Sequence, residues 1–369
     1  MSDVLARIRV KETHGIRRFL YPLSAVPRLK GEVDIQEIGL FSSDGETVPM
    51  QIAPTLDKHG GHYRMDFALS LTPHSEQILL LRTEKKPVAF DDPLQVTRLE
   101  GGGIRNDQKR FSITVDADAG IQNVVYDGIP HLRGRSAIFH NGSPITEISP
   151  PTKEDHLIET SGYLCEVLSP SGCHADGWGA GVETQITACK SWAQIRYWSG
   201  GGSKPLQAGD EITFRLPLAV TSPTLTYDFG FGNGIYGKLQ SGVAEEVIWQ
   251  TEFGRRPYAR WSVAVGGRTD YVGEAATAAI FQPQRWFHLV DSDKALAVAI
   301  TRIPPACQQM KATINIAGDI DVVFRMEKVS PYSDTFSVCY HFLNDVPAIA
   351  AATNPQSILL PPTVEVLPT

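Results

Sequence analysis

Cysteine is scarce and poorly placed for cross-linking. The five, Cys165, Cys173, Cys189, Cys307 and Cys339, are odd in number and widely spaced, which disfavours a disulfide framework and a CxxC zinc or redox motif. No run of Lys or Arg gathers a basic face. Lys plus Arg number 34 against 41 Asp plus Glu, a formal charge of −7, which argues against nucleic acid because phosphates demand clustered cations. The N-terminus, MSDVLARIRVKETHGIRRF, lacks the apolar run of a secretory signal, and no later segment approaches a transmembrane span. The expectation is a cytoplasmic protein with no membrane association. Amphipathic helical periodicity, internal repeats and low-complexity tracts are also missing.

What is present is strand signal from end to end. Hydrophobic residues are 42% and charged residues 20% of the 369, an ordinary globular mix able to bury a core. Short runs rich in Val, Ile, Thr and aromatics recur between Gly, Pro, Asn and Asp clusters: 33–40, 77–82, 110–115, 121–126, 211–220, 247–253, 259–265 and 295–300. The 32 Gly and 25 Pro serve the turns of such a fold. The expected class is all-β: a small N-terminal β-barrel or sandwich, residues 1–90, then a large antiparallel β-sandwich, residues 91–369. The boundary is set by the charged, Pro-containing stretch at Lys85-Lys86-Pro87. Two irregular segments, 143–155 and 169–181, read as inserted loops.

Alternation along a strand sorts each segment into two faces. In EVIWQTEF, Val247, Trp249, Thr251 and Phe253 share one face, and Glu246, Ile248, Gln250 and Glu252 the other. In YARWSVAV, Ala259, Trp261, Val263 and Val265 read as core-facing, leaving Tyr258, Arg260 and Ser262 opposite. Gln284, Trp286 and His288 project together from QRWFHLV, and Gln194, Arg196 and Trp198 from AQIRYWS. Were these strands side by side, one concave face would gather carboxylates, Arg196, Arg260, His288 and two indoles. Such a mixture suits a sugar, with flat apolar rings for its C–H face and polar groups for its hydroxyls. An ordinary polar exterior with stray aromatics is the bland alternative.

His288 is the best single acid/base candidate, because its unperturbed pKa lies near neutrality. A satisfied structural histidine is its plain alternative. Arg260 could neutralise a substrate carboxylate, or simply pair across strands with Glu252 or Glu246. Glu252 and Glu246 stand roughly 20 Å apart along one strand, too far to act together in glycoside hydrolysis. The Gly-rich segment from Gly172 to Gly179 carries His174, Asp176 and Trp178, and reads either as a lip over a pocket or as a turn. His140, before Asn141-Gly142, is a weaker candidate of that kind. Segment GFGNGIYGKL has glycines at 230, 232 and 234, but the spacing and the lack of a following helix defeat a dinucleotide reading, leaving Asn233, Tyr236 and Lys238 as binding candidates. Asp116-x-Asp118-x-Gly120 resembles the start of a calcium loop but lies between two strand signals, which favours a hairpin turn. No His pair has zinc spacing. Neither metal nor cofactor is expected.

Three stretches, VKETHGIRRFLYPLSAVPRLKGEV, IGLFSSDGETVPMQ and HYRMDFALSLTPHSEQILLLR, resemble the small barrel that precedes the sandwich in the exo-rhamnogalacturonan lyase-like family. ITVDADAGIQNVVYDGIPHL and QRWFHLVDSDKALAVAIT resemble strands of a galactose-mutarotase-like super-sandwich. The larger relatives also carry a helical toroid, for which the chain has no room. The resemblance implies a carbohydrate-active protein, with a lyase or isomerase on a uronic-acid-containing or deoxysugar oligosaccharide as the first reading. In that reading His288, Arg260 and Glu252 do the chemistry, while Trp286, Trp198, Arg196, Gln250, Gln284, His174, Trp178 and Tyr236 bind. A non-catalytic sugar-binding protein and a subunit of a complex with a separate catalytic chain are the rivals. The partners expected are an oligosaccharide or sugar and either a second copy in a homo-oligomer or that catalytic chain.

Overall fold

The computed structural model describes the backbone of residues 3–29, 33–55, 61–84, 88, 92–99, 103–116, 120–144, 148–149, 158–160, 165–168, 171–174, 178–187, 193–202, 207–221, 224–228, 236–240, 246–253, 258–265, 268–276, 287–291, 294–301, 307–315, 318–326, 336–343 and 360–368. Side chains are described up to Pro144 within these ranges, and beyond it at 207–221, 226, 264, 289, 291, 311, 313–314, 318–325 and 360–368. Among the described residues there is no α-helix, and none is long and apolar enough to cross a membrane. The fold is all-β, an antiparallel β-sandwich architecture.

The N-terminal unit joins a five-stranded and a three-stranded sheet over one core. Strand Val4–Lys11 buries Ala6, Ile8 and Val10, and its antiparallel neighbour Glu76–Arg82 buries Leu79 and Leu81. From the second sheet, Arg18–Ala25 and Tyr63–Leu71 add Leu23, Met65 and Phe67 to the same cluster. Each such aliphatic or aromatic side chain removed from water contributes about 1.5–3 kcal/mol. The chain's last strand, Thr363–Leu367, returns to pair with Val4–Lys11, matching Val364 to Val10. Residues 363–367 therefore belong to the first unit's sheet, not to the sandwich with which the sequence grouped them.

The register slips between Arg18 and Tyr21. Leu20 there adopts a φ of 43°, and the bulge returns both Arg18 and Tyr21 to the buried side while Phe19 stays 69% exposed. The segment 33–40, expected as a strand, instead forms a 3-10 turn over Ile35–Glu37 and then strand Gly39–Ser42. Asp34 is the reason: its carboxylate accepts from the Gln36 amide at 2.9 Å and caps the turn.

The remaining chain builds a small five-stranded sheet, an eight-stranded sheet and an eleven-stranded sheet. Asp92 pins the small sheet's first long hairpin, accepting from the amides of Lys109 and Arg110 at 2.9 Å each. Between the paired strands Phe111–Val115 and Ile121–Tyr126 the Asp116 amide donates to the Gly120 carbonyl at 2.8 Å, and Arg135 is paired to the Asp116 carboxylate. Segment 169–181, expected as a loop, holds strand Ser171–His174 and the start of Trp178–Thr187. On the eight-stranded sheet Ile212, Phe214, Leu216, Ile314, Ile320, Val322 and Phe324 are buried on one side, with Phe214 and Phe324 edge to face at 5.9 Å. The opposite side carries exposed Arg215 and Arg325.

Candidate functional site

Antiparallel partners opposite one another lie on the same side of a sheet, so register converts the sequence into rows of neighbours. On the eight-stranded sheet one row reads Glu274, Arg260, Glu252, Gln309, Arg325, Glu211. It alternates in charge, and its described end, Arg325 and Glu211, is exposed. Gln250 stands two residues along, opposite Ser262 and Lys311. The intervening row runs Trp261, Thr251, Met310, Phe324, Ile212 and ends in two buried side chains. The two faces read from periodicity in EVIWQTEF and YARWSVAV are therefore the two sides of this sheet. Arg260 lies directly between Glu252 and Glu274, the register of a cross-strand charge ladder. A described counterpart lies on the same side: Arg215 holds the Asp321 carboxylate through Nε and Nη2 at 2.8 and 2.9 Å over the Phe139 ring. The Asp321 hydrogen bond pushes the Arg215 pKa up.

The eleven-stranded sheet holds the other candidates. Its order places Tyr236–Gln240, Thr224–Asp228, Phe287–Asp291, Lys294–Thr301, Phe336–Leu343, Ala193–Gly202 and Trp178–Thr187 side by side. One row across these seven strands reads Tyr236, Asp228, His288, Ala297, His341, Gln194, Gln185. Two residues along Lys294–Thr301 the next row reads Ala299, Cys339, Arg196, Glu183. The one beyond reads Thr301, Ser337, Trp198, Gly181. The described side chains of strand Phe287–Asp291, Leu289 and Asp291, are both buried, so by alternation the His288 row is on the sheet's outer side. Thr226, two residues from Asp228 and on that side, is half-buried. On the inner side buried Asp291 accepts from the Thr221 amide at 2.6 Å.

The sequence expectation of one sheet surface carrying all the candidates is thus corrected. Arg260, Glu252 and Gln250 belong to the eight-stranded sheet; His288, Arg196, Trp198 and Tyr236 belong to the eleven-stranded one. Period-two alternation assigns a residue to a side of its strand, while the chain crosses between the sheets after Arg268–Ala276 and again after Lys294–Thr301. His174 lies opposite Ile148 and Trp178 opposite Gly202, toward one edge of the eleven-stranded sheet. Trp286, Gln284, Asp176 and Asn233 lie outside the described residues. Sequence reasoning missed Asp228 and His341, whose only signal was their parity within TLTYD and FSVCYHFL.

His140 faces Asp210 at 3.4 Å at the tip of the hairpin through Asn141-Gly142. Burial pushes the Asp210 carboxyl up, but donors from Asn141, the Gln207 amide and His140 outweigh it and hold it down. Asn141 also accepts from the Glu211 amide at 2.8 Å. The cluster ties one hairpin tip to the neighbouring turn. No grouping of His, Cys, Asp and Glu able to hold a metal occurs among the described residues.

The fold defines a class of large antiparallel β-sandwich proteins, and similarity to solved structures gives it particular members. No protein-family model matches the sequence, and no curated protein sequence matches it. Two crystal structures from Enterococcus faecalis share the fold: a protein in glycosyl hydrolase family 38, and an alpha-mannosidase from strain V583. Both align with a TM-score of 0.56 at 8% identity over 98% of this chain. The chain spans 47% of the first and 46% of the second, less than half the length of either.

Proposed function

We propose that the chain is an intracellular carbohydrate-active enzyme, of lyase or isomerase type, that takes a uronic-acid-containing or deoxysugar oligosaccharide on the outer side of its eleven-stranded sheet. The observation that carries this is the placement of Tyr236, His288, Arg196 and Trp198 on one side of one sheet, Tyr236 two strands from His288 and Arg196 and Trp198 three strands from it in the other direction. An indole offers the apolar plate for a pyranose ring, His288 the titratable group for proton transfer, and Arg196 the fixed cation for a carboxylate. Arg196 takes the neutralising role the sequence reading gave to Arg260. The sandwich shared with two structures titled as glycosidases supports the carbohydrate-active part of this reading.

One observation favours a second reading. Trp198 and Arg196, two residues apart on one side of one strand, serve equally for binding a sugar without turnover. Incubating the purified protein with uronide, rhamnoside and α-mannoside oligosaccharides decides between the two. Unsaturated-uronide absorbance or new reducing ends, lost in His288→Gln, is the expected result. Thermal stabilisation by a sugar without turnover selects the binding reading, and neither response on any sugar overturns both.

A further inference from the structure

We infer that His341 is a second proton-transfer residue of this face and that Asp228 is the positioning residue of His288. The inference rests on the carbohydrate-active reading of the same site.

Asp228 and His288 are directly opposed across two antiparallel strands, which sets their Cα atoms about 5 Å apart. On the other side of His288 stands Ala297, and beyond it His341. At about 4.8 Å per strand the backbone positions of the two histidines are separated by roughly 10 Å. Strand Lys294–Thr301 places Ala295, Ala297 and Ala299 at alternate register positions between the strands of the two histidines. Arg196 is opposite Cys339, two residues from His341 and one strand farther out.

The placement separates the two histidines chemically. A carboxylate opposite an imidazole favours its protonated form, and His288 has Asp228 beside it, with Tyr236 one strand beyond and Lys238 one row along past Thr226. His341 has Ala297 and Gln194 as row neighbours and no charge in either place. On this placement His288 is the acid and His341 the base. For a uronide bound with its carboxylate toward Arg196, neutral His341 takes the proton from the carbon next to that carboxylate. The C–H electron pair forms the new C=C bond. The C–O bond to the departing sugar breaks, and its oxygen takes the proton of the His288 imidazolium. The products are an unsaturated uronide and a shortened chain with a free hydroxyl, and proton exchange with water resets both rings.

The test uses the full chain, its Asp228→Asn and His341→Gln variants, and His288→Gln to assign the His288 resonance. Histidine ring protons are titrated by NMR, and turnover is followed on a uronide oligosaccharide. Asp228→Asn is expected to lower the His288 midpoint by about one pH unit and to move the matching limb of the pH–rate profile with it. His341→Gln is expected to lower kcat roughly 100-fold or more with little change in KM, at an unchanged thermal midpoint. An unmoved His288 midpoint in a folded Asp228→Asn chain overturns the pairing, whether or not the protein turns over. Full turnover by His341→Gln overturns the second role. Absence of turnover in the wild-type chain overturns the enzymatic reading itself, and is told apart because the titration still reports on Asp228.

Discussion

Arg18 and Glu12 form an ion pair sealed from solvent: Nη2 lies 3.0 Å from Oε1, and both side chains are 0% exposed. Glu12 also accepts from the amides of His14, Ile16 and His74, and Arg18 donates in addition to the carbonyl of Leu360. Four donors thus surround one carboxylate, and one guanidinium joins the first turn of the N-terminal unit to the segment that leads into the last strand. Removing either partner alone leaves the other charge buried.

Arg18→Met should therefore destabilise the protein by about 3–5 kcal/mol, because the Glu12 carboxylate loses its counter-ion without regaining water. Arg215→Ala breaks a well-formed but partly exposed pair with Asp321 and should lose less than about 1 kcal/mol. Urea denaturation of the two variants checks the contrast; similar losses would mean that burial does not set the strength.

Acid should weaken the same clasp. Burial pushes Glu12 up, but the hydrogen bonds from Arg18 and from the amides of His74, His14 and Ile16 outweigh it and bring its pKa down from 4.5 to about 2. The folded value lies below the unfolded one, so the stabilisation is fully present above pH 4.5 and is lost as pH falls from there through about 2. The amount is roughly 3 kcal/mol. Stability of the wild-type chain measured between pH 6 and pH 2.5 should fall more steeply than that of Glu12→Gln; parallel curves would exclude Glu12 as a source of the slope.

Glycines with left-handed backbone divide by surroundings. Gly142 has a φ of 78° with nothing near the position a Cβ would take, whereas at Gly318, φ 84°, a Cβ would collide with Val220. Gly142→Ala should lose about 1 kcal/mol, the backbone term alone, and Gly318→Ala substantially more, since the overlap adds to it. Thermal midpoints of the two variants provide the comparison.

The division of candidates between sheets is itself testable on the proposed activity. Arg260→Ala should leave turnover within about twofold of wild type, as expected for one charge in a cross-strand ladder. Arg196→Ala should lower it on the order of 100-fold by removing a cation from the reacting face. The reverse result would return the site to the eight-stranded sheet.

Much of the fold was legible because alternation is a local property. The strands at 121–126, 247–253 and 259–265 and their core sides follow from spacing alone, as Trp261 and Thr251 continuing into buried Phe324 demonstrate. Sheet membership is not local. Nothing in YARWSVAV or QRWFHLV says that the first pairs with Arg268–Ala276 and the second with Lys294–Thr301. For that reason His288 is a candidate from its own segment, whereas its register neighbours Asp228 and His341, 60 and 53 residues away in the chain, are visible only in the sheet. The Arg18 bulge was hidden likewise, because Phe19 and Leu20 look like strand interior and only the left-handed Leu20 breaks the alternation.

Pairing of Val4–Lys11 with Thr363–Leu367 carries a kinetic meaning. During synthesis the first strand emerges more than three hundred residues before the partner that completes its outer edge, and loops of that span close slowly. Strand Val4–Lys11 must therefore wait with an open hydrogen-bonding edge while the sandwich forms behind it.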